Sequence, residues 1–246
     1  MKSFCKFLLP VLVLFTSAAV LNAQNYNGWG TGIKGEGPIV KKTLKLDQFT
    51  GLTLAISGNV YLRQGSQQSV EVESHQNLID NVVTTVENGV WKIRFEKNVR
   101  SYDKFNVYIT VPTLKKAAVS GSGDIIGETP FKNLGDLSLA ISGSGDIAME
   151  VESPNVSASI SGSGDIKVSG KGNSINASIS GSGDVNTAAF SAQTASVSIS
   201  GSGDCSVNAA EDLKVGISGS GDVSYSGRPR VNSKVSGSGD LIHKGM

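Results

Sequence analysis

Seven aspartates close seven copies of Ser-Gly-Ser-Gly-Asp: Asp124, Asp146, Asp165, Asp184, Asp204, Asp222 and Asp240. Carboxylates recurring in this way could do one of three things. They could ligate a hard cation such as Ca²⁺, which favours clustered carboxylate and carbonyl oxygens. They could work in pairs as acid and base on a glycosidic bond. Or they could serve only the backbone, as caps of a tight turn. The steps between them are 22, 19, 19, 20, 18 and 18 residues. Calcium β-rolls repeat about every nine residues and bring more than one aspartate-bearing turn to each coil. One carboxylate per copy is thin ligation, so Asp146, Asp165, Asp184, Asp204 and Asp222 are weak metal candidates and no cofactor is expected. Identical copies also argue against catalysis, because an active site is a local departure from a repeat. The turn reading is the plainest. It makes Gly143, Gly145, Gly162, Gly164, Gly181, Gly183, Gly201, Gly203, Gly219 and Gly221 structural residues.

Other reactive side chains are few. A nucleophile elbow needs Gly-x-Ser-x-Gly, and the repeats offer only Gly-Ser-Gly. His75 and His243 are the two histidines and have no metal-ligand spacing, so each reads as a solvated or partly packed side chain. Cys205 has apolar neighbours and reads as an inert core thiol. Trp29, Trp91 and Tyr225 are possible binding aromatics, but packing is the simpler role for each. Gly30-x-Gly32-x-x-Gly35 matches a dinucleotide fingerprint in form, yet no strand precedes it and no helix pattern follows, so it reads as a chance match.

The elements that hold the aspartates follow from the period. Short β runs rich in Gly and Ser, repeating near every 20 residues, indicate a solenoid in which each repeat is one coil. Within VSASISGSGDIKV, Val156, Ala158, Ile160, Gly162, Gly164, Ile166 and Val168 share one parity, and the motif serines and Asp165 share the other. Successive strand residues face opposite sides, so the aliphatics and motif glycines point inward and the serines and aspartates outward. Aspartates stacked at the ~4.8 Å strand spacing repel by about 0.9 kcal/mol per pair in water. Such a column needs compensation from backbone N–H groups, hydroxyls or cations.

The expected architecture is therefore all-β: a single-stranded parallel β-helix with an irregular N-terminal β segment. Residues 39–244 form its domain, with an atypical part at 39–116 and seven coils at 117–244. In the atypical part, Asn88-Gly89 signals a hairpin and 75–81 holds the one short helical pattern. LTLAISGNVYL keeps the inward parity with two residues fewer and Asn59 in place of the aspartate, which makes it a degenerate first coil. The N-terminal segment and the terminal LIHKGM, with Lys244 as a charge, are expected to cap the two open strand edges.

Residues 1–23 read as a secretory signal peptide: Lys2 and Lys6 beside an apolar run from Phe7 to Leu21, too short for a comfortable span. Residues 24–38 are Gly-rich and aperiodic, which is the pattern of a flexible linker. Cleavage removes Cys5 and leaves Cys205 alone, so no internal disulfide is expected. Cleavage also takes 22 basic residues to 20 against 21 acidic ones. That balance offers no basic stripe for nucleic acid.

The runs DQFTGLTLAISGNVYLRQGSQQSVEVES and NLIDNVVTTVENGVWKIRF, followed by serial SGSGD coils, resemble the putative autotransporter adhesin family with its head GIN domain. The resemblance spans about Leu44 to Lys244. It implies a parallel β-helix of right hand in an exported protein of the cell envelope, and it carries over no catalytic residue or ligand site. Together these readings favour a binding, adhesion or structural module that is not an enzyme. It would sit in the periplasm, on the cell surface or outside the cell, with an unknown envelope protein, a glycan or a second copy as partner. The alternative is a polysaccharide-acting enzyme using carboxylates of the coil face.

Overall fold

The computed structural model describes residues 32–245, so the expected leader and Trp29 lie outside the described residues. Each coil supplies one strand before the Ser-Gly-Ser-Gly-Asp corner and one after it, and the coils stack in parallel into a β-solenoid of about seven turns. A first ladder runs Val90–Ile93, Gly51–Leu54, Lys116–Val119, Leu137–Ile141, Asn155–Gly162, Ser174–Gly181, then the ends of Val185–Gly201 and Cys205–Gly219, then Arg230–Gly237. A second ladder runs Asn106–Val111, Asn59–Gln64, Asp124–Gly127, Ile147–Glu152, Ile166–Lys171, the starts of the same two long strands, Val223–Ser226 and Leu241–His243. The parity reading holds through the repeats. In Asn155–Gly162, Val156, Ala158 and Ile160 are buried while Ser157, Ser159 and Ser161 are exposed.

Identical register turns alternation into aliphatic stacks. Val119, Ile141, Ile160, Ile179, Ile199 and Ile217 lie one over another inside the solenoid. Each such side chain contributes roughly 1.5–3 kcal/mol when fully buried. No coil encloses its own aliphatics, so that stabilisation exists only between neighbours.

The N-terminal part departs from chain order. Gly51–Leu54 is sandwiched between Val90–Ile93 and Lys116–Val119, so the segment expected to be the first coil is an interior layer. Its register is also uninterrupted: Leu52 pairs with Ala117 and Asn59 with Asp124, a constant offset with no missing residues. Ile56 thus occupies the level of the motif's first glycine. A two-residue shift leaves the buried face unchanged, which is why parity was right and the alignment was not.

Beyond Asn106–Val111 the second ladder continues through antiparallel Ser69–His75 and Ile39–Thr43. The first ladder ends in a hairpin, Val86–Glu87 with Val90–Ile93. Asn88 and Gly89 have φ of 52° and 72°, the positive values a two-residue type I′ turn requires. The helix is one turn, Gln76–Ile79. At the other end, Leu241–His243 extends the second ladder and does not cover it, and Val231, Val235 and Ile242 stay exposed.

Residues 32–38, within the expected linker, fold against the domain. Ile33–Lys34 pairs in parallel with Val99–Ser101. Gly35 sits so close over the ring of His75 that any side chain there would collide with it, and the Gly37 carbonyl oxygen lies 2.8 Å from His75 Nδ1. Those glycines meet protein, which removes the fingerprint reading of Gly32 and Gly35.

Candidate functional site

The aspartate corner is built between coils. The backbone N–H of each motif aspartate donates to the carboxylate Oδ1 of the aspartate one coil earlier, Asp165 to Asp146 at 2.9 Å and Asp184 to Asp165 at 2.9 Å. The same bond joins Asp146 to Asp124 at 3.0 Å, Asp204 to Asp184 at 2.7 Å, Asp222 to Asp204 at 2.8 Å and Asp240 to Asp222 at 2.8 Å. A charged acceptor makes each bond stronger than a neutral one and sets a partial positive charge against each carboxylate. Backbone amides thus supply the compensation that a column of negative charge requires. Among the described residues, no group of three or more His, Cys, Asp or Glu is arranged to hold a metal ion.

The motif glycines answer the same stacking. A Cβ on Gly164 would fall well inside the van der Waals envelope of the Gly145 carbonyl oxygen in the coil below. Gly181 meets the Gly162 carbonyl in the same way and adds a φ of 140°, a conformation that L side chains rarely adopt. The obstacle is the backbone of the neighbouring coil.

The motif serines behave differently. Among the described residues none of their hydroxyls is hydrogen-bonded to protein, and they continue the outward surface of the strand before each corner. One column of that surface runs Lys116, Ser138, Ser157, Asn176, Ser196, Lys214. The next includes Ala140, Ser159, Ser178 and Ser198. A third is Ser161, Ser180, Ser200, Ser218 and Ser236. Rigid rows of free hydroxyls can donate to and accept from a polar ligand without first being released from the protein.

The other singled-out residues make contacts within the protein. Trp91 is fully buried, donates from Nε1 to the Val83 carbonyl at 2.9 Å and packs on Phe49 with ring centroids 5.8 Å apart. Cys205 is buried between Val185 and Val223, and burial, with Asp184 and Asp204 adding to it, pushes its thiol up to about 12. Tyr225 stacks on His243 at 4.8 Å. His75 is buried, with Nε2 3.5 Å from the exposed Asp103 carboxylate.

Sequence reasoning missed one non-repeating cluster at the N-terminal end of the second ladder. Asn106 and Asn59 continue the aspartate column below Asp124, and beside them Tyr61 and Tyr108 stack with centroids 5.1 Å apart. Glu73 accepts from Lys104 at 2.9 Å and from the Tyr108 hydroxyl at 2.9 Å. The Lys104 ammonium, then the Tyr108 and Asn106 hydrogen bonds, hold the Glu73 carboxyl below its ordinary value against desolvation. Only the exchange of Asp for Asn at position 59 signalled this departure in the sequence.

Residues 48–229 match the family model described as putative auto-transporter adhesin, head GIN domain. The chain belongs to this family. Solved structures of similar fold surround the head GIN domain seen here. A putative adhesin from Bacteroides fragilis superposes with a TM-score of 0.77 at 23% identity, covering 87% of this chain and 100% of the other. A putative lipid binding protein from Parabacteroides distasonis gives 0.74 at 23% identity, covering 87% and 99%. A putative adhesin from Parabacteroides merdae gives 0.66 at 21%, covering 86% and 98%. At these identities the likeness concerns the fold. No curated protein matches the chain. Among the described residues no helix is long and apolar enough to cross a membrane.

Proposed function

We propose that this chain is an exported cell-envelope protein working as a binding or adhesion module, with the outward face of the first ladder as its contact surface and no catalysis. The observation that carries the reading is the set of ordered columns of unbonded hydroxyls on that face. The aspartates, in contrast, are engaged in holding the coils together. Family membership and the adhesin and lipid-binding descriptions of similar folds support a binding role, and the leader-like residues 1–23 support export. Calcium has no part in the reading, because backbone amides already face the carboxylates.

The test uses the purified chain as bait against envelope extract and a glycan panel. Replacing Ser159 and Ser178 by Tyr fills the middle of the face, whereas Lys167→Gln alters the second ladder. Loss of capture in the first variant alone supports the proposal. Capture unaffected by the serine changes, or release of cleaved oligosaccharide from the panel, overturns it.

A further inference from the structure

Two of the hydroxyl columns carry cations toward both ends. The column through Ser138 and Ser157 has Lys116 on one side, beyond which lie Gly51 and Val90, and Lys214 on the other, followed by Asn232. The adjacent column starts at Lys92, passes Thr53 and Ala118, and reaches Lys234. At the ~4.8 Å strand spacing these cations lie about 24 Å and about 38 Å apart along the axis. No carboxylate interrupts either column. At the N-terminal end Lys92, Arg94 and Lys116 converge on a cleft of about 530 Å³ with Thr53 and Thr85, against one acidic neighbour, Glu87. All three cations are exposed, and none of them, nor Lys214 or Lys234, belongs to an ion pair among the described residues. Elsewhere Lys41, Lys42, Arg63, Lys104 and Arg230 each hold a carboxylate within 3.0 Å.

We propose that this face binds an anionic polysaccharide laid along the solenoid axis, its charged groups in the Lys92, Arg94 and Lys116 cleft and its hydroxyls on the serine columns. The inference rests on the binding reading above and names the ligand class. Unpaired cations in a concave site focus positive potential and attract anions. Three donors of this kind suit carboxylate or sulfate oxygens, with Arg94 capable of a bidentate contact. Between the charged ends, serine hydroxyls and the Asn176 amide match the donors and acceptors of sugar hydroxyls. The face carries no aromatic side chain on which a base could stack, and its middle exposes no large aliphatic that would enter a lipid surface. The motif aspartates follow the corner glycines and lie in none of these columns.

The experiment is titration of the full chain with polygalacturonate and dextran sulfate, with neutral dextran, duplex DNA and anionic phospholipid vesicles as comparisons. Binding to a polyanionic glycan that weakens with added salt, and falls at least about tenfold in the K92Q/R94Q/K116Q variant but not in K167Q, is the expected result. Equal binding of DNA or vesicles, equal loss in K167Q, or no polyanion binding at low salt overturns it. A neutral glycan captured by the serine face while polyanions are ignored would overturn the anionic assignment and leave the binding reading standing. Matching thermal unfolding of both variants shows that the fold is retained.

Discussion

The two ends of one column solve the same backbone problem in different ways. At the N-terminal layers the N–H of Asp124 donates to the Gly58 carbonyl at 3.0 Å and that of Asn59 to the Phe105 carbonyl at 3.0 Å, so the peptide ladder turns the corner unaided. From Asp146 onward the corresponding N–H goes to a carboxylate. Asparagine suffices where the backbone supplies its own acceptor, and its amide is left to the Tyr61 hydroxyl. Aspartate is used where the corner glycines bring the chains together without that bond. The difference teaches that the repeated acid is a structural part of the coil interface, and that polar residues freed from this duty gather where the repeat breaks down.

The largest effect tests the glycines. Gly164→Ala, whose Cβ would run into the Gly145 carbonyl, is expected to cost about 3 kcal/mol or more by denaturant unfolding. Gly51→Ala in the N-terminal layer meets the Val90 side chain, at 3.0 Å from its Cγ2, and should cost under about 1 kcal/mol because that side chain can yield. Equal losses would erase the contrast between backbone stacking in the repeats and side-chain packing at the end.

A middle-sized effect tests the ladder. Asp165→Ala removes the acceptor of the Asp184 N–H and should destabilise by about 1–2 kcal/mol, while Asn59→Ala, which takes away no backbone partner, should change stability by about 0.5 kcal/mol or less. Asp165→Asn keeps an oxygen in place and should fall between them. If Asn59→Ala costs as much as Asp165→Ala, the two corners work alike.

The smallest effect is the pH dependence that Glu73 of the N-terminal cluster adds. The folded Glu73 carboxyl is held below its ordinary value, so the unfolded chain binds its proton more readily. Its stabilising contribution is complete above the unfolded pKa and disappears as pH falls through the folded one. Thermal melts on the acid side should show a shallower decline in Glu73→Gln than in the wild type. The same slope in both would mean that the Lys104 and Tyr108 contacts carry no net linkage.

Much of this was legible because a strand reports its faces in alternate residues. Val156, Ala158 and Ile160 against Ser157, Ser159 and Ser161 is enough to orient a coil, and the spacing of Asp124 to Asp240 is enough to count coils. Asn88-Gly89 named its hairpin for an equally local reason, the need for two positive φ values. The order of Gly51–Leu54 between Val90–Ile93 and Lys116–Val119 was not legible, because pairing partners far apart in the chain leave no local mark. The ordering of residues 32–38 was hidden for the same reason, since their glycines look like a tether until His75 is placed beneath them.

The candidate face divides along the same line. That serines point outward is a matter of parity, and the chain alone determines it. That their hydroxyls remain free while the aspartates are consumed depends on which coil lies below which, and so on tertiary stacking. Lys92, Arg94 and Lys116 illustrate the point most plainly: two come from Val90–Ile93 and the residue after it and the third from Lys116–Val119, and only the ladder brings them to one cleft. Local stereochemistry fixes what each residue faces. The long-range pairing of strands decides what it meets there, because hydrogen bonds and charge pairs depend on distance in space and not on distance along the chain.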